Sequence, residues 1–383
     1  MSGAWDGASG GADRASGTGP GSGTGPGPRT GHDAGPGADG RPGGAYGVPH
    51  AAHPPLRTRQ VRIDHHSAVH VAATYAREMG AEYGLTGSLP DRAAALASEL
   101  AGNIEKHATN GSVFLQPLPP PALGLEIAAA DRGPGMADVR RCLTDGYTTS
   151  GTLGSGLGAV KRIATRLHIR SDVPEGTVIA ARMTADGRPS DAGTGAVCLP
   201  APGEEAYGDG CAFHLDAERG LRTAVVIDGL GHGEAAAKAT ERALRTFHDH
   251  ADEPPAAVLQ RMHTALRTTR GAAVGLLRVG PGRAEFCGVG NIRLCVLSGE
   301  ELRQFDGRPG IVGWNLPTMH TRDVALTQGE CAVLFSDGIE SRWTRTRSPY
   351  LTRLPAELLP AALVQRHRRE RDDATVVTVA GTA

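Results

Sequence analysis

Two sets of residues in this sequence have the types and spacing for chemistry. In the first, Glu99 and Asn103 stand four apart in "SELAGNIEKHA", with Lys106 and His107 one turn further on. On a helix, that spacing presents a carboxylate, an amide and a cation on one face. Asp131 follows in "DRGPGM", where Gly133 and Gly135 let the backbone approach a flat ligand and a carboxylate can accept from an amine edge. Next comes "DGYTTSGTLGSGLGAVKR", in which Gly154, Gly156 and Gly158 run into a helix carrying Lys161 and Arg162. The second set is a series of acids: "YGDG" (Asp209), "VVIDGLGHG" (Asp228), "VLFSDGIE" (Asp337) and "RERDDATVVTV" (Asp372, Asp373). Asp228 and Asp337 each close an apolar run and precede glycine, which frees the carboxylate to point into a shared cleft. Gathered carboxylates repel one another unless a cation intervenes. Such oxygen ligands suit Mg²⁺ or Mn²⁺, and two such ions about 4 Å apart can share a bridging water and activate it for attack on phosphorus.

Each motif is weak when read alone. Polar residues on a helix usually mark a solvated face, and Asp-Gly usually marks a turn. A dinucleotide reading of Gly154–Gly158 needs the loop directly after a strand, yet the nearest upstream strand pattern ends at Asp131. A phosphate-binding P-loop needs Gly-Lys-Ser/Thr, and "GLGAVKR" has none. Order and structural placement carry the weight instead.

The elements that must position these residues can be read from periodicity. "SLPDRAAALASELAGNIEKHAT" predicts a helix opened by a Ser88/Asp91 box with Pro90 inside, and Leu96, Leu100 and Ile104 form its apolar stripe. "LGLEIAAAD" alternates like a strand and delivers Asp131; "GLGAVKRIATRL" predicts a second helix, followed by strands in "HIRSD" and "GTVIAARM". A mixed sheet backed by helices is expected. The Gly/Asp/Pro-rich "TADGRPSDAGTG" marks a domain boundary. Beyond it, strand-like runs such as "RTAVVID", "AAVGLLRVG", "IRLCVLSG" and "CAVLFSDG" are broken by helical "GEAAAKATERALRTFHDH" and "PPAAVLQRMHTALRTT". That pattern predicts two sheets flanked by helices. The Gly, Pro, Ala and Ser of residues 1–56 predict a disordered tail.

Composition sets outer limits. Forty Lys+Arg against 41 Asp+Glu leave no global field for nucleic acid or an anionic membrane. Six cysteines without a CxxC or a Cys/His spacing point to thiols in a reducing compartment, with no disulfide framework or zinc site. There is neither a signal-peptide pattern nor a run of about 18 apolar residues, so a cytoplasmic chain is expected. "RHRRER" (Arg366 to Arg371) reads as a solvated helix end. His232 in "GLGHG" reads as a general acid or as a structural histidine in a glycine turn, and it stays outside the catalytic set.

The ordered set Glu-x-x-x-Asn, Asp-x-Gly-x-Gly and Gly-x-Gly-x-Gly opening a helix resembles the GHKL (Bergerat-fold) ATP-binding domains. Gly176-Thr177 on the last strand adds a further family feature, and "DGYTTSG" is most similar to the RsbT-type switch kinases. The resemblance implies that Asn103 ligates the Mg²⁺ bridging the ATP phosphates, and that Glu99 orients or deprotonates an acceptor serine. It also implies that Asp131 accepts from the adenine amine, that Gly133 and Gly135 permit close approach, and that Gly154, Gly156 and Gly158 form the ATP lid. Lys106 and Thr177 are further implied contacts. The later series "GD…DGLGHG…GVGNIRL…FSDGIE…RDDAT" resembles SpoIIE-type and RsbX-type members of the PPM family of metal-dependent serine/threonine phosphatases. By that resemblance Asp228 bridges two Mn²⁺ or Mg²⁺ ions with help from the Gly229 carbonyl, Asp337 and Asp372 complete one ion, and Asp209 lines the other through water. "YGD" departs from the two glycines that many members place before this acid, and no equivalent of the phosphate-binding arginine of some relatives is evident.

The expected fold is therefore α/β (α+β) in two domains. A Bergerat α/β sandwich spans residues 57–184, a linker 185–192, and a PPM-type αββα sandwich 193–381. The resemblance implies a bacterial partner-switching protein: a phosphoserine/phosphothreonine protein phosphatase with an ATP-binding, serine-kinase-like domain. Its implied partner is a STAS-domain anti-sigma antagonist, in an anti-sigma or stress-sensing complex. The alternative is a non-catalytic ATP-binding anti-sigma or activator module that regulates the attached phosphatase.

Overall fold

The computed structural model describes residues 55–143, 156–189, 193–299, 301–346 and 348–383. The Gly/Pro-rich N-terminal segment, the DGYTTSG run and Gly154 lie outside the described residues, as do residues 190–192 of the expected linker.

The N-terminal part comprises β1 (Arg59–Ile63), α1 (His66–Glu82), α2 (Leu89–His107), β2 (Gly111–Pro117), β3 (Gly124–Ala130), α3 (Val139–Cys142), α4 (Leu157–Ile163), β4 (Arg166–Asp172) and β5 (Gly176–Thr184). Its strands form one sheet in the order β1-β2-β3-β5-β4. Every pair is antiparallel, so the expected mixed pairing is not found. Alternate residues of a strand point to opposite faces, and both faces here are covered. Val113, Leu115, Leu125, Ile127 and Ile179 pack under α1 and α2 with Leu96, Leu100 and Ile104 of the apolar stripe. Phe114, Ala128, Ala130, Val178 and Ala180 face the other way, into a second core.

The expected Ser88/Asp91 capping box does not form. Ser88 has helical backbone angles and makes no side-chain cap, and Asp91 instead accepts from Arg77 Nε at 2.7 Å. The nearby guanidinium on α1 competes for the carboxylate that the box requires.

The C-terminal part comprises β6 (Thr194–Leu199), β7 (Asp209–Asp216), β8 (Leu221–Gly229), α5 (Glu234–His250), α6 (Pro255–Leu266), β9 (Ala272–Gly280), β10 (Arg283–Val289), β11 (Arg293–Ser298), β12 (Glu301–Asp306), β13 (Arg322–Ala325), β14 (Cys331–Phe335), α7 (Trp343–Thr346), α8 (Pro349–Thr352), α9 (Leu359–His367) and β15 (Ala374–Ala380). Two sheets result, β13-β10-β9-β8-β7 and β12-β11-β14-β15-β6. Cys211, Phe213, Val226 and Leu277 meet Ala196, Leu294, Val296 and Val377 between them. Helices α5 and α6 cover the outer face of the first sheet through Ala243, Phe247, Leu259 and Met262. This is an αββα sandwich.

The outer face of the second sheet packs on α9, whose Leu359 and Leu363 also share a core with Phe114, Ala128 and Ala180 of the N-terminal sheet. The described residues of these two parts accordingly belong to one compact unit. A polar join reinforces it. Glu126 sits inside an apolar strand, paired with Arg182 at 2.6 Å, and both are almost fully buried. Arg182 also donates to the Thr194 carbonyl, and Gln116 donates both to Glu126 and to the Ala196 carbonyl on β6. A buried ion pair is tolerable only when its remaining lone pairs and protons are used in this way.

Candidate functional sites

The first set of residues gathers around one cavity of about 470 Å³ between α2, the sheet and α4, within the usual range for small-ligand pockets. Glu99, Asn103, Lys106, Asp131, Gly135, Gly156 and Thr177 all line it. Asp131 is delivered by the end of β3. Its Oδ1 accepts from Gly133 N at 2.8 Å and Thr177 N at 3.3 Å. Burial raises its proton affinity, and these two N–H donors oppose the shift. Gly133 is packed so closely that a Cβ there would lie 2.8 Å from the Ala108 Cβ. Gly135 has φ +76° and would place a Cβ 2.6 Å from the Asp172 carbonyl oxygen. Both positions require glycine. The Asn103 amide nitrogen is buried without a hydrogen-bond partner. A buried polar group in that state costs about 1–3 kcal/mol until something pairs with it, so the pocket is built for a polar ligand at this point. Gly156 and Gly158 sit at the start of α4.

Sequence reasoning missed Met136, Asp138 and Arg141, which line the same cavity. The Ser171 hydroxyl joins the same framework: it accepts from Met136 N at 2.7 Å, donates to the Gly176 carbonyl at 3.3 Å and stands 2.8 Å from the Thr177 hydroxyl. The "GPGM" run placed Met136 beside the glycines, but nothing local pointed to a serine on β4.

The acids of the second set come together at one end of the αββα sandwich. Asp209 opens β7 and lies directly opposite Asp228, near the end of β8. Asp209 is buried, and its Oδ2 accepts from Ser336 Oγ at 2.6 Å. Burial and the neighbouring Asp228 push it well above the usual carboxylate range. Asp228 is pushed up to about 7, first by burial and then by Asp337, while Asn291 Nδ2 donates to its Oδ2 at 3.1 Å and opposes the shift. Asp372 is raised by burial and by Asp337 and Asp373. Asp373, by contrast, is buried and gives its Oδ1 to Ala201 N and Gly208 N, both at 3.1 Å. Of the final pair, Asp372 is the more open.

Among the described residues no three Asp, Glu, His or Cys side chains close into a finished metal cage. Asp209, Asp228 and Asp372 are raised first by burial and then by a neighbouring carboxylate, and together with Asp337 they form an oxygen-only donor set that a divalent cation would neutralise. Gly229 continues the same end of β8; its N donates to the Gly208 carbonyl at 3.0 Å, and a Cβ there would lie 2.6 Å from the Ala236 carbonyl oxygen. His232 is exposed in the turn that follows, 3.4 Å from Glu204.

Two further residues belong to this end of the molecule. Asn291, in "GVGNIRL", orients Asp228; the motif was visible in sequence, but the partner was not. Arg270 is exposed, and its Nη1 lies 3.0 Å from where a Gly231 Cβ would stand. Strand pairing puts Asp228 opposite Ala273, and Leu230 N bonds the Gly271 carbonyl, so Arg270 overhangs the loop that follows Asp228.

Only the second half of the run from Arg366 to Arg371 is the solvated helix end expected from its composition: Arg369, Glu370 and Arg371 are exposed, but Arg366 and Arg368 are not. Arg366 is largely buried, pairs with Glu175 at 3.0 Å and stacks on Tyr350 at 4.7 Å. Arg368 donates to Gln60 at 2.9 Å and to the Pro200 carbonyl. The N-terminal sheet covers this end of α9, which a local reading of charge cannot foresee.

A helix-backed antiparallel sheet with a polar pocket thus shares a core with an αββα sandwich that gathers carboxylates at one end. Residues 219–380 match the family model of Stage II sporulation protein E (SpoIIE); Asp228, Asp337 and Asp372 fall inside the match and Asp209 outside it. The N-terminal part is similar to the serine/threonine-protein kinase RsbT of Bacillus subtilis (strain 168), at 42% identity over 85 residues. That alignment spans 22% of this chain and 64% of RsbT. Among solved structures, a chain described in work on the bacterial stressosome is 30% identical, with 49% of this chain and 99% of that one covered and a TM-score of 0.45. The phosphatase domain and regulatory fragment of SpoIIE from Bacillus subtilis is 14% identical, covering 67% and 78%, with a TM-score of 0.43. The C-terminal part is thus similar to SpoIIE, and the N-terminal part to RsbT over about two thirds of that relative's length. Among the described residues no helix is long and apolar enough to cross a membrane.

Proposed function

We propose that this chain is a partner-switching regulator whose C-terminal part is a divalent-metal-dependent phosphoserine/phosphothreonine protein phosphatase. We propose further that its N-terminal part binds ATP with Mg²⁺ as a serine-kinase-like domain, and that both act on a STAS-type anti-sigma antagonist. The observation that supports this reading is Asp228 opposite Asp209, with Asp337 and Asp372 near enough to act on it, so that burial first and then Asp337 push Asp228 up to about 7.

In this reading Asp228, Asp337 and Asp372, with the Gly229 carbonyl, would hold Mn²⁺ or Mg²⁺, and Asp209 would stand beside them. Such ions would supply an activated water for attack on phosphorus. Hydrolysis would form the water oxygen–phosphorus bond and break the phosphorus–serine oxygen bond, a proton from water passing to the serine oxygen as phosphate is released. Asn291 fixes the orientation of Asp228, Ser336 fixes that of Asp209, and Arg270 offers its guanidinium to the phosphoryl oxygens.

In the N-terminal pocket Asp131 keeps Oδ1 on two backbone N–H groups, so Oδ2 is left for the adenine amine. Asn103 would hold the Mg²⁺–phosphate end with Lys106 nearby, Glu99 would take the proton of an acceptor serine, and Gly156 and Gly158 at the start of α4 would face phosphate. The division of the chain into parts 57–184 and 193–381 belongs to the same reading. It is tested by incubating the purified chain with Mn²⁺ and phosphoserine protein, and with labelled ATP and STAS-domain proteins. Phosphate release that stops in chelator, and label transfer lost in Asn103→Ala, support it. Release that persists in chelator contradicts the phosphatase half.

A further inference from the structure

The segment 365–369, at the C-terminal end of α9, touches both sites. Two loops bordering the nucleotide pocket reach it. Arg132, the residue after Asp131, donates from Nη2 to the carbonyls of Arg366 at 2.9 Å and Gln365 at 3.4 Å. Glu175, two residues before Thr177, accepts from Arg366 Nη1 at 3.0 Å, and its carbonyl accepts from Arg366 Nη2. Gln365 in turn donates to the Asn110 carbonyl, in the turn between α2 and β2.

The other side of the segment is bound to the carboxylate site. Arg369 N donates to the Gly338 carbonyl at 2.8 Å, one residue from Asp337. Glu340 N donates to the His367 carbonyl at 2.8 Å, and Ile339 bridges Arg368. Three residues beyond Arg369 the chain reaches Asp372.

The segment also carries unmet hydrogen-bonding capacity. His367 Nδ1 and Arg368 Nε are buried without hydrogen-bond partners. Pairing either orphan would favour a different placement of the segment. An element with two placements of similar energy is what coupling between distant sites requires.

We propose that the nucleotide pocket is an effector site for the phosphatase site. Nucleotide held by Asp131 and Thr177 moves Arg132 and Glu175, these reset segment 365–369, and the segment resets Asp372 against Asp337. This rests on the nucleotide and phosphatase readings above and adds a route between them.

The full chain is tested with the β,γ-imido analogue of ATP in excess Mg²⁺. Binding is read by calorimetry, the segment by amide hydrogen exchange over residues 363–373, and hydrolysis with a phosphoserine peptide and Mn²⁺. In the wild type the analogue changes exchange in the segment and changes hydrolysis about fivefold or more. In Arg366→Ala and in Glu175→Gln the analogue still binds and basal hydrolysis is kept, while both responses are lost; Arg366→Lys restores part of them. Bound analogue with no response in the wild type, or an undiminished response in both variants, overturns the coupling alone. A chain that fails to bind the analogue overturns the nucleotide reading and the coupling together.

Discussion

Asp209 and Asp228 stand directly opposite one another on adjacent strands, one buried and held by Ser336, the other steadied by Asn291. Like charges so placed on paired strands are unfavourable. The fold keeps them because the β7–β8 ladder, the Gly208–Gly229 backbone bond and the α5 carbonyl behind Gly229 fix both strand ends.

The first prediction concerns stability against pH. Asp228 is raised to about 7, and Asp209 and Asp372 are raised in the same direction. A carboxylate whose folded pKa lies above its unfolded value of about 4 binds its proton more tightly in the folded state. The cluster's contribution to the stability of metal-free protein therefore falls as pH rises from about 4 to about 7, while His367, which burial lowers to about 4, contributes in the opposite direction. Thermal unfolding of wild type and Asp228→Asn across that range, in chelator, isolates the carboxylate part: the variant should lose less stability than the wild type as pH rises. Superimposable profiles for the two proteins count against the carboxylate cluster.

The nucleotide pocket makes a separate prediction. Asp131→Asn presents an amide where the adenine amine needs an acceptor, and ATP affinity measured by calorimetry should fall about tenfold or more, the equivalent of one lost hydrogen bond. Asn103→Ala should abolish label transfer to a STAS-domain protein while the melting temperature of the nucleotide-free chain stays within a few degrees. Unchanged affinity in Asp131→Asn would remove that residue from the adenine site.

Arg270 is expected to act on substrate phosphate. Arg270→Ala should raise KM for a phosphoserine peptide about tenfold, the loss of one charge-assisted pair, and Arg270→Lys should recover part of it. An equal KM in wild type and Arg270→Ala would leave the guanidinium as a surface group.

The parts of this fold that were legible in sequence are those set by local rules. The apolar stripe Leu96/Leu100/Ile104 is buried as its period required, and the acids and glycines at strand ends fall where alternation placed them. What escaped depends on contacts distant in sequence. Asp91 was lost to Arg77 on another helix, and Arg366 and Arg368 were claimed by the N-terminal sheet about two and three hundred residues away. Glu126 sat in "LGLEIAAAD" with no sign that Arg182 and Gln116 would meet it. Ser171 had no local signal, and Asn291 and Ser336, though inside recognised motifs, meet their partners Asp228 and Asp209 only after the sheets assemble.

The central claim is that Asp228 organises metal-dependent hydrolysis of phosphoserine. Its most direct measurement is phosphate release from a phosphoserine protein by the full chain in Mn²⁺, compared with Asp228→Asn at equal folded concentration. The account predicts release by the wild type that chelator abolishes, and background release by the variant at every Mn²⁺ concentration. Full activity in Asp228→Asn, or in the wild type with chelator in excess, would contradict it.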